Sequence, residues 1–199
     1  EELFNPFTPG SDRRWFGRIA NRDIPNTYTT MLPNVVKKQG QRIFYRYDVV
    51  NKVDSPAQFT VSENGINIGS SSCRGVSTGN HEFAYSVMDT ASIAANSLKD
   101  DRSVLQFLYT TTAGSQSASG YIDWFEIHYP REFVALDNQI EFFTNPSELG
   151  ITEYTVNGFS GEIVGFDVTN RAAPRMIRNL SSTGGIYLLR TNNQASAPK

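Results

Sequence analysis

The chain has 199 residues, 39% hydrophobic and 19% charged, with a formal net charge of −2. That balance suits one globular domain, or one with a small appendage, able to bury roughly 70% of its unfolded surface without metal or disulfide. Near-neutral charge speaks against a nucleic-acid or anionic-membrane partner, no apolar run approaches the roughly 20 residues that span a bilayer, and a single cysteine excludes an internal disulfide framework.

In chain order, the opening "EELFNPFTPG" lacks the basic and apolar regions of a signal peptide, so the chain reads as processed or as part of a longer protein. "RIFYRYDVV" (42–50) alternates: Ile43, Tyr45, Tyr47 and Val49 share one face, and Phe44, Arg46 and Asp48 the other. That is the period of a strand. Further strands are expected at 57–62, 81–87, 103–112, 121–129, 139–143, 151–156, 162–168 and 185–190. Turn signals separate them, among them "NKVDSP", "ENG", "TTTAGSQSASG" and "NPSELG". "MDTASIAANSLKDD" is the one place for a turn or two of helix, capped by Asp89 or Thr90. The tail "TNNQASAPK" reads as a polar linker.

Many short strands with turns every ten or so residues predict an all-β fold: an antiparallel β-sandwich, jelly-roll-like, with a small C-terminal β-module. "TNPSELG" (144–150) is the best boundary, giving a sandwich over 1–145 and a module with linker over 146–199.

Chemistry is harder to find. Cys73, in the small-residue stretch "SSSCRG", lies beside Arg74 and eight residues before His81, which makes a Cys–His dyad conceivable. A polar turn cysteine is the plainer account. With only His81 and His128, a zinc site of ordinary spacing is absent. "KDDR" (99–102) lacks the ligand pattern of a calcium loop and reads as a solvated turn, although an incidental calcium ion stays open. No catalytic residue, metal site or cofactor is assigned.

"GYIDWFEIHYPREF" (120–133) is the densest aromatic stretch. On a regular strand, Tyr121, Asp123, Phe125, Ile127 and Tyr129 share one face, and Ile122, Trp124, Glu126 and His128 the other. Asp123 and Glu126 then point apart and make no glycosidase pair. Phe125, Ile127 and Tyr129 are expected in the core, with Trp124 covering the outer face or docking the C-terminal module. Pro130 ends the strand. A sugar-stacking platform built on Trp15, Tyr45, Tyr47 and Trp124, with Glu126 as hydroxyl acceptor, is the competing reading; 13 Phe against 2 Trp favours core filling.

Four segments occur in a familiar order: "DRRWFGRIA", "FTVSENGINIG", "SASGYIDWFEIHYPREF" and "GFDVTNRAAPRMI". Together they resemble the region ahead of the catalytic domain in gingipain-like cysteine peptidases of Bacteroidetes, especially PorU-type sortases of type IX secretion. Arg171 stands where a proline is common in that group. The family's catalytic Cys and His motifs have no counterpart here, so Cys73 and His128 inherit no role. The resemblance implies a non-catalytic region of a secreted or outer-membrane-associated protein, partnered by its own downstream domain or a secretion-system component. A carbohydrate-binding or adhesin-like surface domain is the alternative. "DTA" (89–91) also resembles the Bacteroidetes O-glycosylation pattern, with Thr90 as acceptor.

Overall fold

The computed structural model describes residues 2–4, 13–77, 83–114, 118–143, 149–177, 181–183 and 186–193. They divide into two compact units, Glu1–Pro130 and Arg131–Lys199.

Among the described residues, the first unit contains an antiparallel ribbon, β1 (Glu2–Phe4) with β2 (Arg13–Trp15), and eight further strands. These are β3 (Arg18–Asn21), β4 (Asn26–Met31), β5 (Arg42–Asn51), β6 (Ala57–Glu63), β7 (Ile66–Cys73), β8 (Tyr85–Ala94), β9 (Arg102–Thr111) and β10 (Ser119–His128). They form two four-stranded antiparallel sheets, ordered β3-β10-β5-β8 and β4-β9-β6-β7. Strands that alternate between two sheets in this order make a jelly roll, as the sequence predicts. "ENG" supplies the tight β6–β7 turn: Asn64 and Gly65 take φ of 49° and 80°, the left-handed pair a two-residue hairpin needs.

The core lies between the sheets. Ile43, Tyr45, Tyr47 and Val49 come from one sheet, and Phe59, Val61, Leu105, Phe107 and Tyr109 from the other, all fully buried. Phe107 is its hub, edge-on to Tyr47 at 5.4 Å and 6.1 Å from Phe125. Of the expected turn or two of helix only one short turn forms, and Asp89 and Thr90 do not cap it. β8 runs through Asp89 and Thr90 instead, and a short 3₁₀ turn follows at Ala95–Ser97. Alternation explains this, because Ala91 and Ile93 are buried at period two.

β10 departs from a regular strand. Ile122 pairs with Val49, but Trp124 pairs with Asp48, so the register shifts at Asp123. A one-residue bulge reverses side-chain parity along the strand. The face assignment before the bulge is therefore corrected: Ile122 enters the core, while Tyr121 joins Phe16, Val50 and Ala84 in a separate cluster. Beyond it, Phe125, Ile127 and Tyr129 pack on the core as expected. Gly17 abuts the bulge, donating its N–H to Asp123 Oδ1 at 3.2 Å; a Cβ there would lie 2.4 Å from the carbonyl oxygens of both Ile122 and Asp123.

Among its described residues, the second unit contains a three-stranded antiparallel sheet, β11 (Gly150–Val156), β15 (Ile186–Asn193) and β14 (Ser181–Thr183), in the order β11-β15-β14. A two-residue ribbon pairs β12 (Phe166–Asp167) with β13 (Arg175–Met176). The unit begins earlier than the expected 145/146 boundary. Phe133, Phe142 and Tyr154 form one aromatic cluster, and Ala135 N–H donates to Asn157 O at 2.7 Å, binding 131–143 to β11. Of the expected strand 139–143 only the Leu136–Gln139 bridge forms, and 162–168 contracts to Phe166–Asp167.

Candidate functional site

The outer face of the β3-β10-β5-β8 sheet carries an ordered array of side chains. The ladders align Trp124, Asp48 and Met88 in one row, Glu126, Arg46 and Thr90 in the next, and His128, Phe44 and Ser92 in a third. Arg46 sits at the centre of the array. Its guanidinium lies 5.3 Å from the Trp124 ring centroid, its Nη1 4.0 Å from Glu126 Oε2, and its Nη2 3.1 Å from Met88 Sδ. His128 Nε2 meets the same Glu126 oxygen at 3.1 Å. Arg42 donates to Ser92 Oγ through Nε at 3.2 Å and Nη2 at 2.6 Å. A shallow depression at one end is lined by Gln41, Arg42, Phe44, His128, Tyr129 and Pro130.

Of the residues expected to form a ligand platform, this face brings together Trp124 and Glu126. Trp15 ends β2, and its side chain lies outside the described residues. Tyr45 and Tyr47 do not belong to the surface: both are completely buried. Their hydroxyls explain how burial is tolerated, since Tyr45 donates to Glu63 Oε2 at 3.0 Å and Tyr47 is bonded to Ser71 Oγ at 3.2 Å. Burial, with the Glu63 carboxylate, holds the Tyr45 hydroxyl far above its ordinary range; burial and Asp89 raise Tyr47. Phe44, Arg42 and Arg46 are the neighbours the platform reading missed. The outward parity of 42, 44 and 46 was the signal that pointed to them.

Cys73 is not in a polar turn. It ends β7 and is 2% exposed, and burial, reinforced by the Asp48 carboxylate, pushes its thiol up to about 11. A nucleophilic thiol needs the opposite environment. His81 lies outside the described residues, and His128 is exposed on β10. Asp123 and Glu126 serve separate partners, Gly17 N–H and the Arg46–His128 pair. In "KDDR", Asp100 lies 3.4 Å from Arg102 Nη2 and Asp101 lies 2.9 Å from Lys37 Nζ. Among the described residues no cluster of three or more His, Cys, Asp or Glu side chains could hold a metal, and no helix is long and apolar enough to cross a membrane.

Thr90 is exposed on β8, an edge strand. Asp89 beside it accepts from Ser71 Oγ and from Thr90 N–H, each at 2.8 Å. Because Thr90 shares a row with Arg46 and Glu126, a glycan attached there would compete for the face a bound ligand would use.

No family model and no curated protein matches this chain. Among solved structures, its fold is similar to the crystal structure of dimeric latent PorU from Porphyromonas gingivalis, with a TM-score of 0.68 and 15% identity. The match covers 89% of this chain and 17% of that one. At that identity the likeness establishes the fold.

Proposed function

We propose that this chain is a non-catalytic β-sandwich region of a larger gingipain-like cysteine peptidase, secreted or held at the outer membrane. In this reading it serves as a structural or partner-docking module for its own downstream domain or a secretion-system component. The observation that carries the reading is the fold match along 89% of the chain to PorU, of which it amounts to 17%. The four sequence segments resembling that group run in the same direction. The buried Cys73 thiol gives no independent reason to place chemistry in the sandwich.

The test is to treat the full natural polypeptide with a chloromethyl ketone trap for cysteine peptidases and to map the alkylated residue. Labelling of a cysteine outside 1–199 is expected. Labelling of Cys73, or of no cysteine, would overturn the reading.

A second reading, carbohydrate binding, is favoured by one specific observation: exposed Phe44, Arg46, Glu126 and His128 share a single sheet face with the half-buried Trp124. Rings beside positioned polar groups are what sugar recognition requires.

A further inference from the structure

Phe44 lies on β5, a central strand with β10 on one side and β8 on the other, yet it is 53% exposed. Elsewhere on the same face the sheet is covered, with Tyr121 and Val50 buried beneath Phe16. The ring is therefore left open at one particular place. Along its own strand it is flanked by Arg42 and Arg46, each about 7 Å away by strand geometry, and across the ladders by His128 and Ser92, about 5 Å away. That spacing is the width of one pyranose ring.

The exposed charge around Phe44 is unbalanced. Two guanidinia stand against one exposed carboxylate, Glu126, while Asp48, in the row beyond, is buried. Both guanidinia are already positioned, Arg42 by Ser92, and Arg46 by Trp124, Glu126 and Met88. Groups fixed before binding lose less conformational freedom when a ligand arrives. Guanidinium groups also pair with carboxylates more strongly and directionally than with neutral oxygens.

We propose that this patch binds an acidic sugar, a uronate-type glycan. The apolar face of the pyranose rests on Phe44, its carboxylate lies between Arg42 and Arg46, and its hydroxyls reach His128 and Glu126. This proposal rests on the carbohydrate-binding reading and names its ligand class.

The experiment is calorimetric titration of the 199-residue chain with three probes: a galacturonate trimer, a neutral galactose trimer and a Glu-rich hexapeptide. The uronate is expected to bind saturably, and the other two at least about tenfold more weakly, a gap of about 1.4 kcal/mol. Phe44→Ala and Arg42→Gln are each expected to weaken uronate binding about tenfold or more. Their melting temperatures report whether either loss is a folding defect, in which case the other variant decides. Equal binding of the neutral trimer would overturn the acidic assignment and leave the carbohydrate reading standing. Equal binding of the hexapeptide, or uronate binding unchanged in both variants, would overturn the site. No binding of either sugar would overturn the site and the carbohydrate reading together.

Discussion

The Tyr109 hydroxyl donates to Asn51 Oδ1 at 2.9 Å, tying β9 of one sheet to the end of β5 in the other. Asn51 is fully buried, and its Nδ2 also donates to Ser55 O and Arg74 O, each at 2.9 Å. One side chain thus fastens two loops and both sheets. Asn51→Ala leaves several buried polar groups unsatisfied and is expected to cost about 2–4 kcal/mol by urea unfolding. Tyr109→Phe is expected to cost about 1–2 kcal/mol, and the double variant less than the sum of the two.

Core and face should respond differently to the same change. Phe107 is fully buried among Tyr28, Tyr47 and Phe125, so Phe107→Ala is expected to lose about 3–5 kcal/mol. Phe44→Ala removes an exposed ring and is expected to stay within about 0.5 kcal/mol of the parent. Equal losses at the two positions would contradict the outward placement of Phe44.

Burial makes Cys73 a packing residue. Its thiol is expected to resist iodoacetamide in the folded state and to react fully in denaturant. Cys73→Ser places a hydroxyl in that site and is expected to cost about 1–3 kcal/mol, more than an exposed turn cysteine would. The pH dependence follows from the direction of the shift. Burial raises the thiol from 9.0 to about 11, so the folded state holds its proton more tightly than the unfolded chain. The associated stability is complete below pH 9 and lost as pH rises toward 11; burial pushes Tyr109 up to about 12, extending the loss. Cys73→Ala should flatten the fall in melting temperature between pH 9 and 11.

The isolated chain is expected to hydrolyse nothing. A peptidase needs a thiolate, a base within hydrogen-bond reach, and donors aimed at the developing oxyanion. Cleavage of Arg- or Lys-containing peptides by the chain, abolished in Cys73→Ser and His81→Ala, would contradict this.

Much of the architecture is legible because burial between two sheets imposes period two on β5, β6, β9 and the latter half of β10. The misses have physical causes. The bulge at Asp123 leaves no local mark, since one polar residue among aromatics fits either face, yet it moves Ile122 inward and Tyr121 outward. Tyr45 and Tyr47 have side chains that suit a core or a platform equally well. The hydroxyl partners that decide for the core, Glu63 and Ser71, lie on strands of the opposite sheet. Only the first half of β7, "INIG", looks strand-like in the sequence; "SSSC" does not, because pairing with β6 rather than propensity carries the strand through it. The second unit's start depends on contacts of Phe133 and Phe142 with Tyr154, which no local pattern reveals.

The assignment of the outer sheet face, rather than the Tyr45–Tyr47 stripe, as the working surface is tested most directly by hydroxyl-radical footprinting of the folded chain, read residue by residue by mass spectrometry. Phe44 and Met88 are 53% and 55% exposed and are predicted to oxidise rapidly, while Tyr45, Tyr47 and Cys73 stay protected until the chain unfolds. Oxidation of Tyr45 and Tyr47 at the rate of Phe44, in a chain that is still folded, would contradict it.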